Sequence, residues 1–314
     1  MSSMEYRQLG DSGLTVSVVG LGCNNFGRRL DASRTDVVVN AAIDAGITLF
    51  DTADIYRGDH GSSEELLGKA LGSRRDQVVV ATKFGGDMHG ENGPDWGVRG
   101  SRRYIRKAVE SSLRRLGTDW IDLYQLHFPD PVTPIEETLS ALSELVAEGK
   151  VRYIGSSQFA GWQVVDADWA ARTGGHEHFI SAQNHYSLLE RDIEDELVPA
   201  AEHLGIGVLP FFPLASGLLT GKYQRGAAAP DGTRLAGQPE RLANADFDKI
   251  EALETFAAER DLTMIDVAIG GLAAQPAVSS VIAGATSAEQ IAQNVAAGTW
   301  QPTLEDLAVL DDLT

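Results

Sequence analysis

An α/β fold, a closed (β/α)₈ TIM barrel with an N-terminal β-hairpin and extra helices, is what this sequence predicts. Three observations carry that expectation. Short apolar runs recur along the 314 residues, each followed by a helical pattern. Most of these runs are continuous rather than alternating, as expected for strands buried on both faces. Strands joined in order by right-handed crossovers close naturally into a barrel of this kind.

The expected strands are Val16–Leu21, Thr48–Asp51, Val78–Thr82, Ile121–Leu126, Val151–Gly155, Ile180–Gln183, Gly207–Phe211 and Val278–Ile282. Helix starts are read from Ser62-Ser63-Glu64-Glu65, Thr133-Pro134-Ile135-Glu136 and Ser287-Ala288-Glu289-Gln290. In each, a hydroxyl can accept from a free amide, and a Glu or Gln three residues on can return the bond. Glycine stops are read at Gly46, Gly72, Gly117 and Gly149. The segment Tyr6–Ser17, with Asp11-Ser12-Gly13 at its tip, reads as a hairpin that plugs the barrel bottom. A long insertion, Pro213–Arg260, carries a Gly/Ala/Pro-rich loop (Gly226–Gly237) and then a helical stretch from Leu242. No linker divides the chain, so residues 1–314 are read as a single domain.

Hydrophobic residues make up 43% and charged residues 23%, a balance that supports a packed core. The formal net charge of −19 repels phosphate backbones and anionic membranes, so neither nucleic acid nor a membrane is an expected partner. Cys23 is the sole cysteine, which rules out an intrachain disulfide. No run reaches the ~20 apolar residues of a membrane span, and a cytoplasmic protein, monomeric or homo-oligomeric, is expected.

Barrel enzymes place their chemistry at the C-terminal ends of the strands. The polar groups found just past the expected strands are Asn24 and Asn25, then Asp51, Asp54 and Tyr56, then Lys83 and His127. Ser156, Ser157, Gln158, Gln183, Asn184, Thr286 and Ser287 follow on the later strands. Four of them make an acid–base set. A free phenol titrates near ~10, and a neighbouring ammonium is expected to lower that value. A carboxylate keeps the ammonium charged and aimed. An imidazole at the next strand end can bond a substrate carbonyl. Tyr56 is thus the expected acid, Lys83 its tuner, Asp51 the orienter of Lys83, and His127 the group that positions substrate and shares the proton. His176-Glu177-His178 resembles a metal pair but lies at the barrel bottom, and no metal role is assigned. No Gly-x-Gly-x-x-Gly fingerprint follows a strand. Gly284-Ala285-Thr286-Ser287 opens a helix instead, where free amides can meet a phosphate.

These residues resemble the aldo-keto reductases, in particular the bacterial branch related to the voltage-gated potassium channel β subunits. The resemblance runs from about Tyr6 to Asn294 and is carried by Phe50-Asp51-Thr52-Ala53-Asp54-Ile55-Tyr56, Ser63–Gly68, Ala81–Phe84, Leu113–His127 and Gly149–Gly155. It implies Asp51, Tyr56, Lys83 and His127 as the catalytic tetrad and an extended NADPH across the barrel mouth, with NADH possible. Ser157 and Gln183 are then expected at the nicotinamide carboxamide, with Gln158 beside them. Phe211 is expected to stack on the ring. Leu214, Ser216, Gly217 and Lys222 are expected at the pyrophosphate, and Gly284, Thr286, Gln290 and Asn294 at the adenosine end. Gly22 and Asn24 are expected to border the nicotinamide ribose. Three departures stand out: Gln158 replaces Asn, Phe211 replaces Tyr or Trp, and Thr286 replaces an arginine that would pair the 2′-phosphate. Lys222 or Arg234 is a candidate to compensate.

The substrate pocket is expected from Phe26, Tyr56, the Gly85–Gly100 loop with Trp96, His127-Phe128 and the insertion. Its aromatic content suits a small carbonyl compound with an apolar part, and no arginine cluster demands a phosphorylated or dicarboxylate substrate. Two other functions remain open at this point. One is an NADPH-bound redox-sensing protein. The other is a Schiff-base aldolase using Lys83.

Overall fold

The computed structural model describes residues 4–59 and 61–314. The chain enters through an antiparallel hairpin, β1 (Tyr6–Gln8) against β2 (Thr15–Ser17), with Arg7 opposite Val16. Strands β3 (Val19–Gly22) and β4 (Leu49–Asp51) follow, then a two-stranded excursion, β5 (Arg57–Gly58) with β6 (Gly61–Ser62). Next come β7 (Val79–Phe84), β8 (Ile121–Leu126), β9 (Val151–Ser157), β10 (Ser181–Gln183), β11 (Gly207–Val208) and β12 (Val281–Gly284).

The helices between strands are α1 (Ala32–Asp44), α2 (Ser63–Leu71), α3 (Arg102–Leu116), α4 (Ile135–Ala147), α5 (Gly161–Gly174) and α6 (Ile193–Leu204). The insertion adds α7 (Pro239–Ala243) and α8 (Phe247–Ala258). Then α9 (Met264–Ala273) precedes β12, and α10 (Ala288–Ala297) and α11 (Leu304–Leu313) end the chain.

Eight parallel strands form one sheet in the order β11-β10-β9-β8-β7-β4-β3-β12. Parallel bridges from Val208 to Val278 and from Phe211 to Ile282 join its two edges. The amide of Val208 donates to Ala277 O at 2.8 Å, and that of Ile282 to Pro210 O at 3.0 Å. Closure leaves no open edge.

The barrel interior is apolar at its base. Leu49, Ala81, Leu123 and Leu209 meet there, and Leu9 and Val16 of the hairpin complete the cluster. The hairpin is therefore the floor of the barrel. A fully buried leucine such as Leu9 contributes roughly 1.5–3 kcal/mol through burial. The larger core lies between strands and helices, and a third cluster, with Leu219, Tyr223, Leu235 and Phe247, packs the insertion.

Some local expectations change. The run Val16–Leu21 is not one strand: it breaks at Val18, because Val16 is paired inside the hairpin while Val19 pairs with Val281. The last strand starts at Val281, not Val278, which holds only an isolated bridge. Thr133 does not cap α4. Its hydroxyl donates to Asp130 Oδ2 at 2.7 Å, and Pro134 takes the cap position. Ser62 takes the cap position of α2 without a side-chain cap bond. Ser287 accepts from Gln290 N at 3.4 Å, but the Gln290 side chain accepts from Thr286 instead of returning to the Ser287 amide. All four glycine stops adopt positive φ, from 45° at Gly72 to 90° at Gly46.

Gly10 seats the floor. Its φ is +57°, and a Cβ there would lie 2.4 Å from Gly205 O and 2.8 Å from Ile180 O. Gly10→Ala is expected to lower unfolding free energy by about 2–4 kcal/mol in urea titration, through strain and a backbone clash. A loss below about 0.5 kcal/mol would show that the hairpin does not seal the barrel.

Candidate active site

Strand pairing builds the centre. Asp51 lies opposite Ala81, and Lys83 opposite Gln125. Residues two apart on a strand share a face. Asp51, Lys83 and Gln125 therefore stand directly above the apolar Leu49, Ala81 and Leu123, forming a polar layer at the C-terminal mouth.

Lys83 is fully buried, and its Nζ donates to Asp51 Oδ1 at 2.8 Å, Asp51 Oδ2 at 2.7 Å and Thr52 O at 2.9 Å. Asp51 Oδ1 also accepts from Gln183 Nε2 at 2.8 Å and Gln125 Nε2 at 3.3 Å. A buried ion pair is stable only when its remaining lone pairs are met in this way. The half-buried Tyr56 comes from the turn after β4 and places its ring centroid 5.2 Å from Lys83 Nζ. His127 follows β8, its ring set edge-on to Tyr56 with centroids 6.0 Å apart. Its amide donates to Phe84 O at 2.8 Å.

The electrostatics follow from burial and neighbours. Burial pushes the Lys83 ammonium down, but the Asp51 carboxylate and the hydrogen bonds to Asp51 and Tyr56 outweigh it, and its pKa ends above the usual lysine value. The Tyr56 phenol is held above its ordinary value, because burial exceeds the downward pull of Lys83 and Asp51 adds to the rise. This reverses the expected direction. The phenol keeps its proton at neutral pH, as a proton donor must. Burial, with the Lys83 charge behind it, takes His127 down to about 2, so the imidazole is neutral; its Nδ1 has no partner among the described residues. It is thus suited to positioning more than to sharing a proton.

The mouth opens into a cleft of about 900 Å³. Asp51, Tyr56, His127 and Phe128 line it. So do Gly22, Asn24, Ser157, Gln158, Gln183 and Phe211. Leu214, Ser216, Gly217 and Lys222 from the insertion, and Gly284, Thr286, Gln290 and Asn294 from β12 to α10, complete the lining. The structure thus brings these expected residues to one surface, with Lys83 directly behind Asp51 and Tyr56. Two expected substrate contacts lie elsewhere. Phe26 is fully buried in the helix–strand core. Trp96 is 72% exposed on the outer loop, its ring covered by Arg103, and does not reach the cleft. Asp54 is also buried away from it, its carboxyl pushed well above the usual range by burial and by the nearby Glu64.

Sequence reasoning missed two groups. Gln125 is a fully buried glutamine inside an apolar strand, which is the signal that could have found it. The other is a pair of cations at the cleft edge, Arg29 and Arg34, which join Arg234, already a candidate from the sequence. They come together only because the loop after β3 meets the insertion, where Arg29 Nη2 donates to Gly232 O at 2.7 Å.

The cleft suits a dinucleotide. Ser157 Oγ is buried with no partner, an orphan that a carboxamide would satisfy. Phe211 supplies a flat ring, itself stacked on His185 with centroids 5.5 Å apart. Ala215, Ser216 and Gly217 all adopt positive φ, and a Cβ on Gly217 would lie 2.9 Å from Lys222 Nζ, so the ammonium sits over this bent backbone. Gln158 turns its amide to His127 O at 3.2 Å, which gives the longer side chain a structural bond.

Neutral burial of His127 has a stability consequence. The unfolded imidazole gains a proton below about pH 6.5, whereas the folded one does not until about 2, so stability is lost as pH falls through that window. Between about pH 7 and 5.5, His127→Gln is expected to lose about 1 kcal/mol less than the parent in urea unfolding. Equal losses would show that His127 titrates normally in the fold.

Comparison with known proteins agrees with this fold. The aldo/keto reductase family profile matches residues 18–314. The chain is 38% identical to the uncharacterized oxidoreductase YrpG of Bacillus subtilis (strain 168), covering 99% of this chain and 96% of that protein. It is 36% identical to a probable voltage-gated potassium channel subunit beta of Arabidopsis thaliana, covering 99% and 95%. It is 35% identical to the L-glyceraldehyde 3-phosphate reductase of Escherichia coli (strain K12), covering 94% and 87%. With its closed barrel and this profile match, the chain belongs to the aldo/keto reductase family.

Proposed function

We propose that the protein is an NADPH-dependent carbonyl reductase, with NADH as a weaker alternative, converting a small aldehyde or ketone to its alcohol with Tyr56 as general acid. The observation that carries this reading is the buried Lys83–Asp51 pair facing a protonated phenol at the mouth of a dinucleotide-sized cleft. Ser157 and Gln183 would hold the carboxamide, Phe211 the ring, Lys222 the pyrophosphate, and Gln290 and Asn294 the adenosine end.

When bound, a reduced nicotinamide supplies hydride to the carbonyl carbon. The chain's own residues do the rest. Neutral His127 donates a hydrogen bond to the carbonyl oxygen and fixes its direction. Tyr56 passes its proton to that oxygen as negative charge develops there, and Lys83 stabilises the phenolate left behind. Asp51 holds Lys83 in place through both carboxylate oxygens. Phe128 lies flat on His127, with centroids 4.4 Å apart, and gives the substrate an apolar wall. The chain acts as one unit on a small molecule, and we place it in the cytoplasm. No helix among the described residues is long and apolar enough to cross a membrane.

A second reading is a protein that holds the nucleotide as a redox signal, and a probable potassium channel subunit beta stands among the relatives. Multiple-turnover oxidation of NADPH with a panel of aldehydes and ketones separates the two, since a sensor binds tightly without turnover. A Schiff-base role for Lys83 is disfavoured, because its amine is held charged by Asp51.

Tyr56→Phe is expected to cut carbonyl reduction by at least ~100-fold while leaving NADPH affinity within about twofold. A parent-like rate in that variant would mean that another group supplies the proton. Lys83→Met is expected to abolish reduction and to cost about 3–5 kcal/mol of stability, because it strands a buried carboxylate. Retained activity with unchanged stability would remove the ion pair from the mechanism.

A further inference from the structure

Among the described residues, α10 and the turn before it bring no cation to the cleft. The amide and hydroxyl of Thr286 both donate to Gln290 Oε1, at 2.7 and 3.1 Å, and the Gln290 amide donates to Ser287 Oγ at 3.4 Å. A dianionic phosphate placed there would meet hydroxyls and amides whose bonds are already committed.

The facing edge is different. The loop after β3 and the first turn of α1 carry Arg28, Arg29 and Arg34. Arg34 donates to Arg29 O at 3.3 Å, and Arg29 to Gly232 O of the insertion loop at 2.7 Å. Arg234 lies on the same insertion loop, its guanidinium over the Phe212 ring at 4.9 Å. Among the described residues none of these arginines forms an ion pair with a carboxylate, whereas wall arginines do, Arg115 with Glu64 and Arg75 with Asp122. Arg234 is held below the ordinary guanidinium range by its burial and then by the charges of Arg29, Arg28 and Arg241. In a chain of net charge −19, cations left unpaired at a cleft edge mark an anion site.

Topology says which anion. Strand β3 pairs with β12, helix α1 packs on α10, and Asn25 Nδ2 donates to Ala285 O at 3.5 Å. Arg29 and Arg34 thus line the same cleft as Thr286, Gln290 and Asn294, across its adenosine end. We propose that Arg29 and Arg34 are the receptor for the 2′-phosphate of the dinucleotide and set the preference for NADPH over NADH. The inference rests on the nucleotide reading above. It moves the recognition of that phosphate from α10 to α1, where a guanidinium can pair a phosphate bidentately.

The test is binding, read by quenching of tryptophan fluorescence with NADPH and with NADH, and by competition with 2′,5′-ADP and 5′-AMP. Replacing both arginines, Arg29→Ala with Arg34→Ala, is expected to weaken NADPH and 2′,5′-ADP by about tenfold or more while changing NADH and 5′-AMP by less than about twofold. Arg34→Lys with Arg29→Lys should recover part of the loss, because charge without the planar fork remains. An equal loss for NADPH and NADH would overturn the proposal by assigning the arginines to the pyrophosphate. Unchanged NADPH affinity would overturn it outright. A parent protein that binds neither nucleotide would instead sink the carbonyl-reductase reading. Both side chains are exposed, so an unchanged thermal midpoint serves as the folding control.

Discussion

The ion pair between Lys83 and Asp51 is the constraint on which the mouth of this barrel is built. An ammonium with no access to water is tolerable only if every donor finds an acceptor. Here Asp51 supplies two oxygens and Thr52 a carbonyl. The carboxylate is then itself held by Gln183 and Gln125, reaching it from β10 and β8. One pair thus ties four barrel strands together at the level of the site. It also acts on two groups beside it. Burial keeps His127 neutral and the positive charge of Lys83 adds to that, while burial keeps Tyr56 protonated against the pull of Lys83.

The barrel supplies the rigidity that this pair needs. Closure through Val208–Val278 and Phe211–Ile282 fixes the strand stagger, and stagger fixes which residues share a level. Leu49, Ala81 and Leu123 form an apolar layer on the hairpin floor. One step up each strand, the same inward direction carries Asp51, Lys83 and Gln125. Gly155 leaves the space that Gln125 uses, since a Cβ there would lie 3.2 Å from Gln125 Cγ and 2.3 Å from Ser181 Oγ. An apolar plug below and a satisfied polar layer above divide one barrel into a stable half and a reactive half.

Charge is also divided. The body is strongly acidic, yet the cleft gathers Lys222, Arg29, Arg34 and Arg234 along its walls. Fields from an acidic surface oppose the approach of a polyanion, so local cations within a low-dielectric cleft have to reverse the sign there. The tether from Arg29 to Gly232 joins the two chain segments that carry those cations. The cationic edge of the cleft and the placement of the insertion loop are in this way parts of one arrangement.

Much of this molecule was legible in its residues, because the signals involved are local. Continuous apolar runs mark strands buried on both faces, and Gly46, Gly72, Gly117 and Gly149 mark turns that need positive φ. Asp51, Tyr56, Lys83 and His127 fall at successive strand ends, so the fold and the meeting of these four side chains were readable together. Other properties depend on residues distant in the chain. Val16 leaves the barrel because Arg7 pairs with it, and Phe26 is sealed in the core by neighbours from other elements. The protonation of Tyr56 turns on how deeply it is buried, which no motif encodes. The arginines at the cleft edge converge from positions 29, 34 and 234, and only closure of the barrel and docking of the insertion loop bring them to one cleft and Arg234 into the field of Arg29. Burial and Coulomb energy depend on distance in space, whereas a motif records distance along the chain.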